Sequence, residues 1–508
     1  MLFNSVLFLF FFAAVYLIYW NLSGRSRQYF LIFASALFYA AWGLEREGWV
    51  GLRWTFHFLG IAVLNYYLIQ LMLDRPAWKR PLIYLIVIID LINLGIFKYT
   101  LFFRDVLIDF GLPVPESANE WSIFLPLAIS FYTFQIIAYA IDVRRGVITE
   151  RLGLRKFLLF IMFFPQLIAG PIMRSTDFLP QMDKPAIDRE RMYTGLWFIL
   201  GGLVKKVLIA DTLGVILAPV FFDPDVHQGW VLYLAAVCFA FQIYCDFSGY
   251  TDIARGCAFL LGYEIPENFK APLFAVSAQD LWQRWHITLA TWLRDYIYIS
   301  LGGSRVGAWR AYFNLFLTFT LGGLWHGADY TFLAWGALWG ALLALERFFM
   351  VVYKMDFVPT NPVLRVLKIL LVFGLFAGSA FMFRAQPVDH GDYQRSSAYI
   401  MGAMFTGVVA NTEDAARDDY VEAGGDADLM EMTFGSDVFD LKTIPQTDQI
   451  IFITLLIFFF NLIQYRDGLL DRFRPYDPWL LLIIGAILGG LLMPALAVGS
   501  AQFIYFVF

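Results

Sequence analysis

Two histidines in the middle third of this sequence could do chemistry, because each interrupts a segment that is otherwise largely apolar. His326 lies in LGGLWHGADYTFLAWG, residues 321–336, and His286 lies in AQDLWQRWHITLATW, residues 278–292. Burial lowers the pKa of an imidazole from its ordinary value near 6.5, and the neutral form can take a proton from a hydroxyl or a thiol. Both histidines are therefore candidate general bases.

Two other interpretations of these histidines stay open on the residues alone. An isolated histidine in a membrane helix is more often a hydrogen-bonding residue between helices than a catalytic one. A zinc site needs three or four ligands, and the nearest further candidates are carboxylates such as Asp246, so we expect no metal. The occurrence of His286 and His326 together, in the most polar third of the chain, favours catalysis.

Further polar and aromatic residues in this third are candidates for lining a tunnel or positioning a substrate. Placing a charged side chain at membrane depth costs free energy, so each such residue is a candidate for a functional role. Gly, Pro and charged residues within 157–172 and 246–274 predict re-entrant backbone, which is tolerated at that depth only where protein or a cavity covers it. The candidates are Asp246, Ser248, Asn268, Arg284, Trp285, Trp325 and Arg174.

The residues around His286 predict an amphipathic helix over 278–305. At 100° per residue, Asp280, Arg284 and Thr288 fall on one face, with tryptophans and leucines opposite. His286 falls at the edge of the apolar face, which predicts that its imidazole is buried.

The elements that must position these residues are membrane helices. Of the 508 residues, 60% are hydrophobic and 16% are charged, a composition that excludes a soluble globular domain. Apolar windows long enough to cross a bilayer recur along the chain and predict an all-α polytopic protein with about eleven spanning helices, plus re-entrant and amphipathic pieces. The three cysteines have no CxxC spacing and are interpreted as buried small hydrophobes.

Charge patterning predicts the orientation and the domain organisation. Arg25, Arg27 and later basic clusters fall in alternate connections, which the positive-inside rule places in the cytoplasm, so that the N-terminus is extracytoplasmic. Residues 385–448 are predicted to form an acidic extracytoplasmic loop. We therefore predict N-terminal helices over 1–122, a catalytic core over 123–350 and C-terminal helices over 351–508. Nothing in the charge or motifs indicates a nucleic-acid partner.

Six ordered segments resemble the membrane-bound O-acyltransferase family, in particular its bacterial branch. They cover roughly residues 125–340. The segments are LPLAISFYTFQIIAYAIDVRRG at 125–146, FPQLIAGPIMR at 164–174, DFSGYTDIARG at 246–256, PENFKAP at 266–272, LWQRWHITLATWLRDYIYISLGGSR at 281–305 and GGLWHGADYTFLAWG at 322–336.

The resemblance implies helices arranged around a central tunnel, with His326 as the essential histidine and His286 as the second motif histidine. It implies an enzyme of the bacterial cytoplasmic membrane that takes an acyl group from a cytoplasmic thioester such as acetyl-CoA, used as a substrate. The acceptor would be a glycan such as alginate or an extracytoplasmic partner protein. One departure is Gln283, where the branch usually has arginine, which puts a cationic role there in doubt.

Several alternatives remain within and outside this branch. The long C-terminal region resembles the polysaccharide-acetylating members, while D-alanyl or other acyl transfer to a cell-envelope polymer is the alternative reaction. His326 could act as a general base or form an acyl-histidine. Broken helices with charges near the membrane midplane are also typical of transporters, so a transporter or flippase is the alternative outside the enzymes, beside a scaffold of an export machine.

Overall fold

The computed structural model of this chain is helical throughout the part that it describes. That part comprises residues 3, 5–115, 117–118, 121, 123–168, 170–222 and 229–384, and it contains no β-strand. The predicted all-α class is confirmed. The described chain divides into two compact units, one formed by residues up to 202 with 250–268 and 291–300, the other by 203–249, 269–290 and 301–384.

The first unit begins with long apolar helices and ends with shorter ones. A π-helical segment, Gly95–Tyr99, joins α4 to α5. The helices are α1 (Val6–Asn21), α2 (Gly24–Glu47), α3 (Leu52–Asp74), α4 (Lys79–Leu94), α5 (Thr100–Asp109), α6 (Ile129–Arg145), α7 (Leu154–Met162), α8 (Phe164–Leu167), α9 (Ser175–Phe178) and α10 (Arg189–Leu203).

The second unit contains the segments that hold both histidines. It includes a π-helical segment, Val204–Asp211; another such segment, Leu293–Tyr298, follows α14 and belongs to the first unit. The helices are α11 (Thr212–Phe222), the first part of α12 (Gly229–Leu260), α13 (Ala278–Arg284), most of α14 (Ile287–Trp292), α15 (Ala308–His326), α16 (Tyr330–Val352) and α17 (Pro362–Arg384).

Five helical stretches in the described residues are long and apolar enough to cross a bilayer. They are Gly24–Asp74, Pro76–Asp109, Val231–Leu260, Tyr330–Val352 and Pro362–Arg384. The protein is thus a multi-pass membrane protein, and the figure of about eleven spans stays a prediction. The predicted acidic loop and the spans that follow it lie outside the described residues, and the predicted domain boundaries stay a prediction.

Two local predictions were wrong. Residues 246–260 are not re-entrant, because α12 continues through them without a break to Leu260. Residues 278–305 do not form one amphipathic helix: α13 ends at Arg284, α14 starts at Ile287, and His286 between them has a φ of 44°. A left-handed residue cannot continue a right-handed α-helix, so the chain must turn there.

Aromatic packing holds the core of the first unit around α6. The rings of Phe134 and Trp292 stack at 3.7 Å with only 3° between their planes. The Trp292 indole also donates a hydrogen bond of 3.0 Å to the Phe134 carbonyl oxygen, so that its polar end is satisfied in the interior.

Glycines bring α15 and α16 into backbone contact in the second unit. A Cβ on Gly323 would lie 2.2 Å from the Phe332 carbonyl oxygen, and a Cβ on Gly336 would lie 2.5 Å from the Phe319 carbonyl oxygen. Neither position admits a side chain without movement of backbone. The glycines in the segment of His326 thus let the helix that ends at this histidine pack closely on α16.

Candidate active site

His326 is the last residue of α15, and its side chain is buried. The chain leaves the helix at Gly327, where a Cβ would lie 2.0 Å from the Phe332 ring. Only glycine therefore fits directly after the histidine. The close turn holds the His326 imidazole inside the second unit, at a helix end whose last carbonyl groups lack intrahelical partners.

His286 is fixed by the break between α13 and α14. Its left-handed backbone, with φ of 44°, is uncommon outside glycine, although histidine is among the residues that adopt it more readily. Such strain is concentrated at functional sites, where the surrounding structure enforces it. The predicted burial of His286 is confirmed, since the residue is 1% exposed.

The structure brings the two imidazoles together. Their ring centroids are 6.3 Å apart, with 61° between the ring planes. Trp325 lies against both, at 5.1 Å from His326 and 6.2 Å from His286. Two histidines that are 40 positions apart in sequence thus share one small volume in the second unit.

Aromatic rings enclose this volume on several sides. Phe247 of α12 lies 4.7 Å from His286 with its ring nearly perpendicular. Trp335 of α16 lies 5.4 Å from His326, and Phe383 of α17 lies 5.3 Å from it. We call the set around the two histidines the aromatic cage; it consists of Phe247, Phe269, Trp325, Trp335 and Phe383.

A buried ion pair joins the segment Val204–Asp211 to α12, the helix that contains Phe247. The Lys206 Nζ is 2.7 Å from the Asp246 Oδ1 and also donates a hydrogen bond of 2.6 Å to the Asp211 Oδ1. The side chains of Lys206 and Asp246 are each 2% exposed. Asp246 directly precedes Phe247, so that the pair fixes the part of α12 that contacts His286.

The other predicted residues of the second unit have local roles in packing. Trp285 is buried against Phe376 of α17, at 4.7 Å between ring centroids. Arg284 is paired with Asp280 one turn earlier, with 2.6 Å between Nε and Oδ1. Ser248 is buried on α12 and directly follows Phe247 in sequence.

Arg174 belongs to the first unit, where it forms a separate polar cluster. Its guanidinium is 2.5 Å from the Asp295 carboxylate and lies over the Tyr296 ring at 5.4 Å. Arg145 reaches the same place, donating a hydrogen bond of 3.0 Å to the Asp295 carbonyl oxygen. Asn268, also a residue of the first unit, is fully buried.

Sequence reasoning missed Lys206 and most of the aromatic cage. The signal for the lysine was present, because two adjacent lysines occur inside the apolar stretch 195–221. Charges at membrane depth are functional hypotheses by default, and this rule would have marked them. The aromatic residues carried no such signal, since 19% of the chain is aromatic. Within the described residues, no three His, Cys, Asp or Glu side chains form a group that could hold a metal ion.

The geometry can support proton transfer in a water-poor interior. Two imidazoles lie close together and aromatic rings surround them, so that a reacting group between them would meet a base and little solvent. Neutral histidine is the usual side chain for general-base catalysis near neutral pH.

Comparisons with known proteins agree with the motif assignment. The profile of the membrane-bound O-acyltransferase family matches residues 145–382, a range that contains both histidines and the whole cage except Phe383. The matched range starts within α6 and ends within α17.

Relatives with assigned functions are similar over most of the chain. A probable alginate O-acetylase AlgI of Pseudomonas aeruginosa is 40% identical over 68% of this chain. The matched part spans 66% of the Pseudomonas protein, just under two thirds of its length. The probable alginate O-acetylase AlgI of Azotobacter vinelandii is 38% identical over 77% of this chain and 76% of its own length. A peptidoglycan O-acetyltransferase of Helicobacter pylori is 36% identical over 68% of this chain and 70% of its own length.

Proposed function

The chain belongs to the membrane-bound O-acyltransferase family, and from this membership and the paired histidines we propose that it is a membrane O-acetyltransferase acting on an extracytoplasmic polysaccharide. The observation that carries the proposal is the 6.3 Å separation of the His286 and His326 rings inside the aromatic cage. Two of the relatives are named probable alginate O-acetylase and peptidoglycan O-acetyltransferase, and these names favour an acetyl group over other acyl groups.

His326 acts as the general base. Its imidazole takes the proton of the acceptor hydroxyl while the hydroxyl oxygen attacks the carbonyl carbon of the donor thioester. A tetrahedral intermediate forms, the carbon–sulfur bond breaks, and the proton passes from the imidazolium to the leaving thiolate. The products are an O-acetyl ester and a free thiol, and general-base catalysis of this kind contributes about 10² to 10⁴ in rate.

His286 orients the reacting group from the other side of the cage. Burial lowers the pKa of its imidazole, and the residue lies outside the candidate spanning helices. It is therefore neutral at pH 7 and can donate one hydrogen bond and accept another. The cage excludes water, which protects the thioester from hydrolysis and strengthens polar contacts to the transition state.

The donor in this proposal is an acetyl thioester, acetyl-CoA, that arrives from the cytoplasmic side. The acceptor is a hydroxyl of a polysaccharide such as alginate, reached directly or through an extracytoplasmic partner protein. The protein lies in the bacterial inner membrane with its N-terminus outside, as the basic connections predict.

The test uses purified full-length protein in proteoliposomes with acetyl-labelled coenzyme A and alginate oligomers. We expect label on the polysaccharide with the wild type and a loss of at least about 100-fold with His326→Ala. The matched control is His57→Ala, which removes a histidine of the first unit. Undiminished transfer by His326→Ala would make the proposal wrong, as would D-alanyl transfer from a carrier thioester in place of acetyl transfer.

A quenched reaction distinguishes the two roles of His326. Mass spectrometry of peptides from wild-type protein, stopped with donor but without acceptor, is expected to find residue 326 unmodified. An acetyl adduct on this histidine would show that His326 forms a covalent acyl-histidine and would rule out the general-base mechanism.

A further inference from the structure

Two adjoining clefts in the first unit are lined by an unusual number of cations. One has a volume of about 850 Å³ and the other of about 340 Å³, and they share Arg25, Arg155 and Lys156. We call the two together the basic cleft; its cationic residues are Arg25, Arg27, Arg151, Arg155 and Lys156.

The carboxylates of the cleft do not balance these cations. Glu150 and Asp183 line it, and Asp183 accepts a hydrogen bond of 2.5 Å from the Lys156 Nζ. Arg151 forms an ion pair with Asp74 beside the cleft. Within the described part of the chain, no carboxylate forms an ion pair with Arg25, which is exposed and lines both clefts.

The remaining guanidiniums of the cleft are held in place by neutral groups. The Arg155 Nε donates a hydrogen bond of 2.8 Å to the Gln28 side-chain oxygen, and its guanidinium lies over the Tyr29 ring at 5.5 Å. The Arg27 Nε donates a hydrogen bond of 3.0 Å to the Leu22 carbonyl oxygen. Such contacts orient the cations without neutralising them. Asp183 interacts electrostatically with Arg155 as well as with Lys156, so that two carboxylates face five cations in the cleft and a net positive charge stays available for an anion.

Two helices also start at the cleft with charges of the unfavourable sign. Arg25 lies in the first turn of α2 and Arg155 in the first turn of α7, and neither first turn contains an acidic residue. The N-terminus of a helix carries a partial positive charge, so cations there are destabilising and an anion is stabilising. An anionic ligand would lower the energy of both helix starts and of the cationic side chains together.

An exposed apolar ridge leads away from the cleft along α2. Tyr29, Phe33 and Leu37 are 59%, 64% and 47% exposed and recur every fourth residue, which places them on one helix face. They cover about 12 Å of helix length at 1.5 Å per residue. Since α2 lies in a candidate membrane span, side chains that are exposed along it can contact lipid acyl chains.

We propose that the basic cleft binds the phosphate of an acidic membrane phospholipid, whose acyl chain lies along Tyr29, Phe33 and Leu37. Basic pockets on the cytoplasmic side of membrane helices bind such headgroups, and the predicted orientation puts Arg25 on that side. A soluble phosphate ester would satisfy the cations but would gain nothing from the ridge. The proposal does not depend on acyl transfer.

Native mass spectrometry of the full-length protein in neutral detergent tests the site. The protein is titrated with phosphatidylglycerol and with phosphatidylcholine of the same acyl chains, and the dissociation constant of the first bound lipid is measured. We expect selective binding of phosphatidylglycerol by the wild type and about fivefold weaker binding by Arg25→Gln, since a cation near the surface contributes about 1 kcal/mol. Arg25→Lys is expected to bind like the wild type.

Arg80→Gln is the matched control, because Arg80 is an exposed arginine on the same predicted side of the membrane but does not line the cleft. It should leave the dissociation constant within twofold of wild type, and Phe33→Ser should weaken binding of the lipid. Equal loss in Arg80→Gln would reduce the effect to general surface charge and overturn the proposal.

Competition identifies the source of the phosphate. Coenzyme A and inorganic phosphate are added to the complex with phosphatidylglycerol, and we expect neither to displace the lipid. Displacement by coenzyme A that is weakened in Arg25→Gln would overturn the proposal and assign the cleft to a soluble phosphate ester. An unchanged melting temperature of Arg25→Gln shows that the variant is folded.

Discussion

The imidazole rings of His286 and His326 lie 6.3 Å apart at an angle of 61°, although one belongs to a break between short helices and the other to the end of a long helix. Their backbone environments therefore differ completely. His326 is set by a helix end and the glycine after it, whereas His286 is set by a left-handed turn. Substitutions at the two positions should have different consequences for folding.

His286→Asn should separate the role of this side chain in the reaction from its role in the turn. Asparagine adopts left-handed backbone readily, so the break between α13 and α14 should persist. We expect acetyl transfer to fall at least about tenfold while the melting temperature stays near that of wild type. His286→Val is the contrast, because a β-branched residue at φ of 44° is strained and should also lower the melting temperature. Wild-type transfer by His286→Asn would leave this histidine a packing role only.

The burial of His286 predicts a pH dependence of stability. Burial lowers the pKa of this imidazole in the folded protein, while in the unfolded chain the pKa returns to about 6.5. As the pH falls below that value, the unfolded chain takes up a proton that the folded protein does not, so stability falls by up to about 1.4 kcal/mol per pH unit. Melting temperatures are measured between about pH 5 and about pH 8. The melting temperature should depend less steeply on pH in His286→Asn than in the wild type. Equal slopes in both proteins would contradict the prediction.

Removing the charge of Lys206 should destabilise the second unit. Lys206→Met removes the ammonium that lies 2.7 Å from the buried Asp246 carboxylate, and breaking a buried pair costs about 3 to 5 kcal/mol. Lys206→Met/Asp246→Leu should be less destabilised than the sum of the single variants, and denaturant unfolding of all four proteins gives the coupling free energy. Lys184→Met, at an exposed lysine, should change stability by no more than about 0.5 kcal/mol. Additive effects would show that the pair is not coupled.

Gly323→Ala should disrupt the contact between α15 and α16. The new Cβ would lie 2.2 Å from the Phe332 carbonyl oxygen, and forced overpacking costs about 1 to 3 kcal/mol. Because α15 ends at His326, transfer should fall together with the melting temperature. Gly60→Ala is the control, since no atom outside its own stretch of helix lies within 4 Å of the added Cβ, and it should be neutral or stabilising by up to about 1 kcal/mol. An unaffected Gly323→Ala would rule out this close packing.

The fold class could be predicted from sequence, and so could the choice of His286 and His326 as candidate residues. Hydropathy alone gives a helical membrane protein, and the position of His286 at the edge of an apolar face predicts the burial that the structure shows. The proximity of His286 to His326 was expected only from their common polar neighbourhood. No periodicity specifies a contact between residues 40 positions apart.

The backbone conformation of His286 could not be predicted, and for a physical reason. A helical wheel assumes the same rotation, about 100°, at every residue. The polar and apolar side chains of residues 278–305 separate well enough at that rotation that the pattern does not reveal the break. The opposite error occurred in α12, where the composition of residues 246–274 predicts re-entrant backbone although the helix continues to Leu260. A buried carboxylate with a lysine partner is compatible with a continuous helix, and the partner lies 40 residues earlier in the chain.

The π-helical segment Val204–Asp211 sets the rotation of the chain that follows it relative to the chain that precedes it. A π turn holds one residue more than an α turn, so a regular α-helix over the same 8 residues would rotate everything after it by about 100°. Lys206 would then be out of phase with Asp246, with no change in composition or hydropathy. The pairing of these two side chains thus depends on an irregular backbone register.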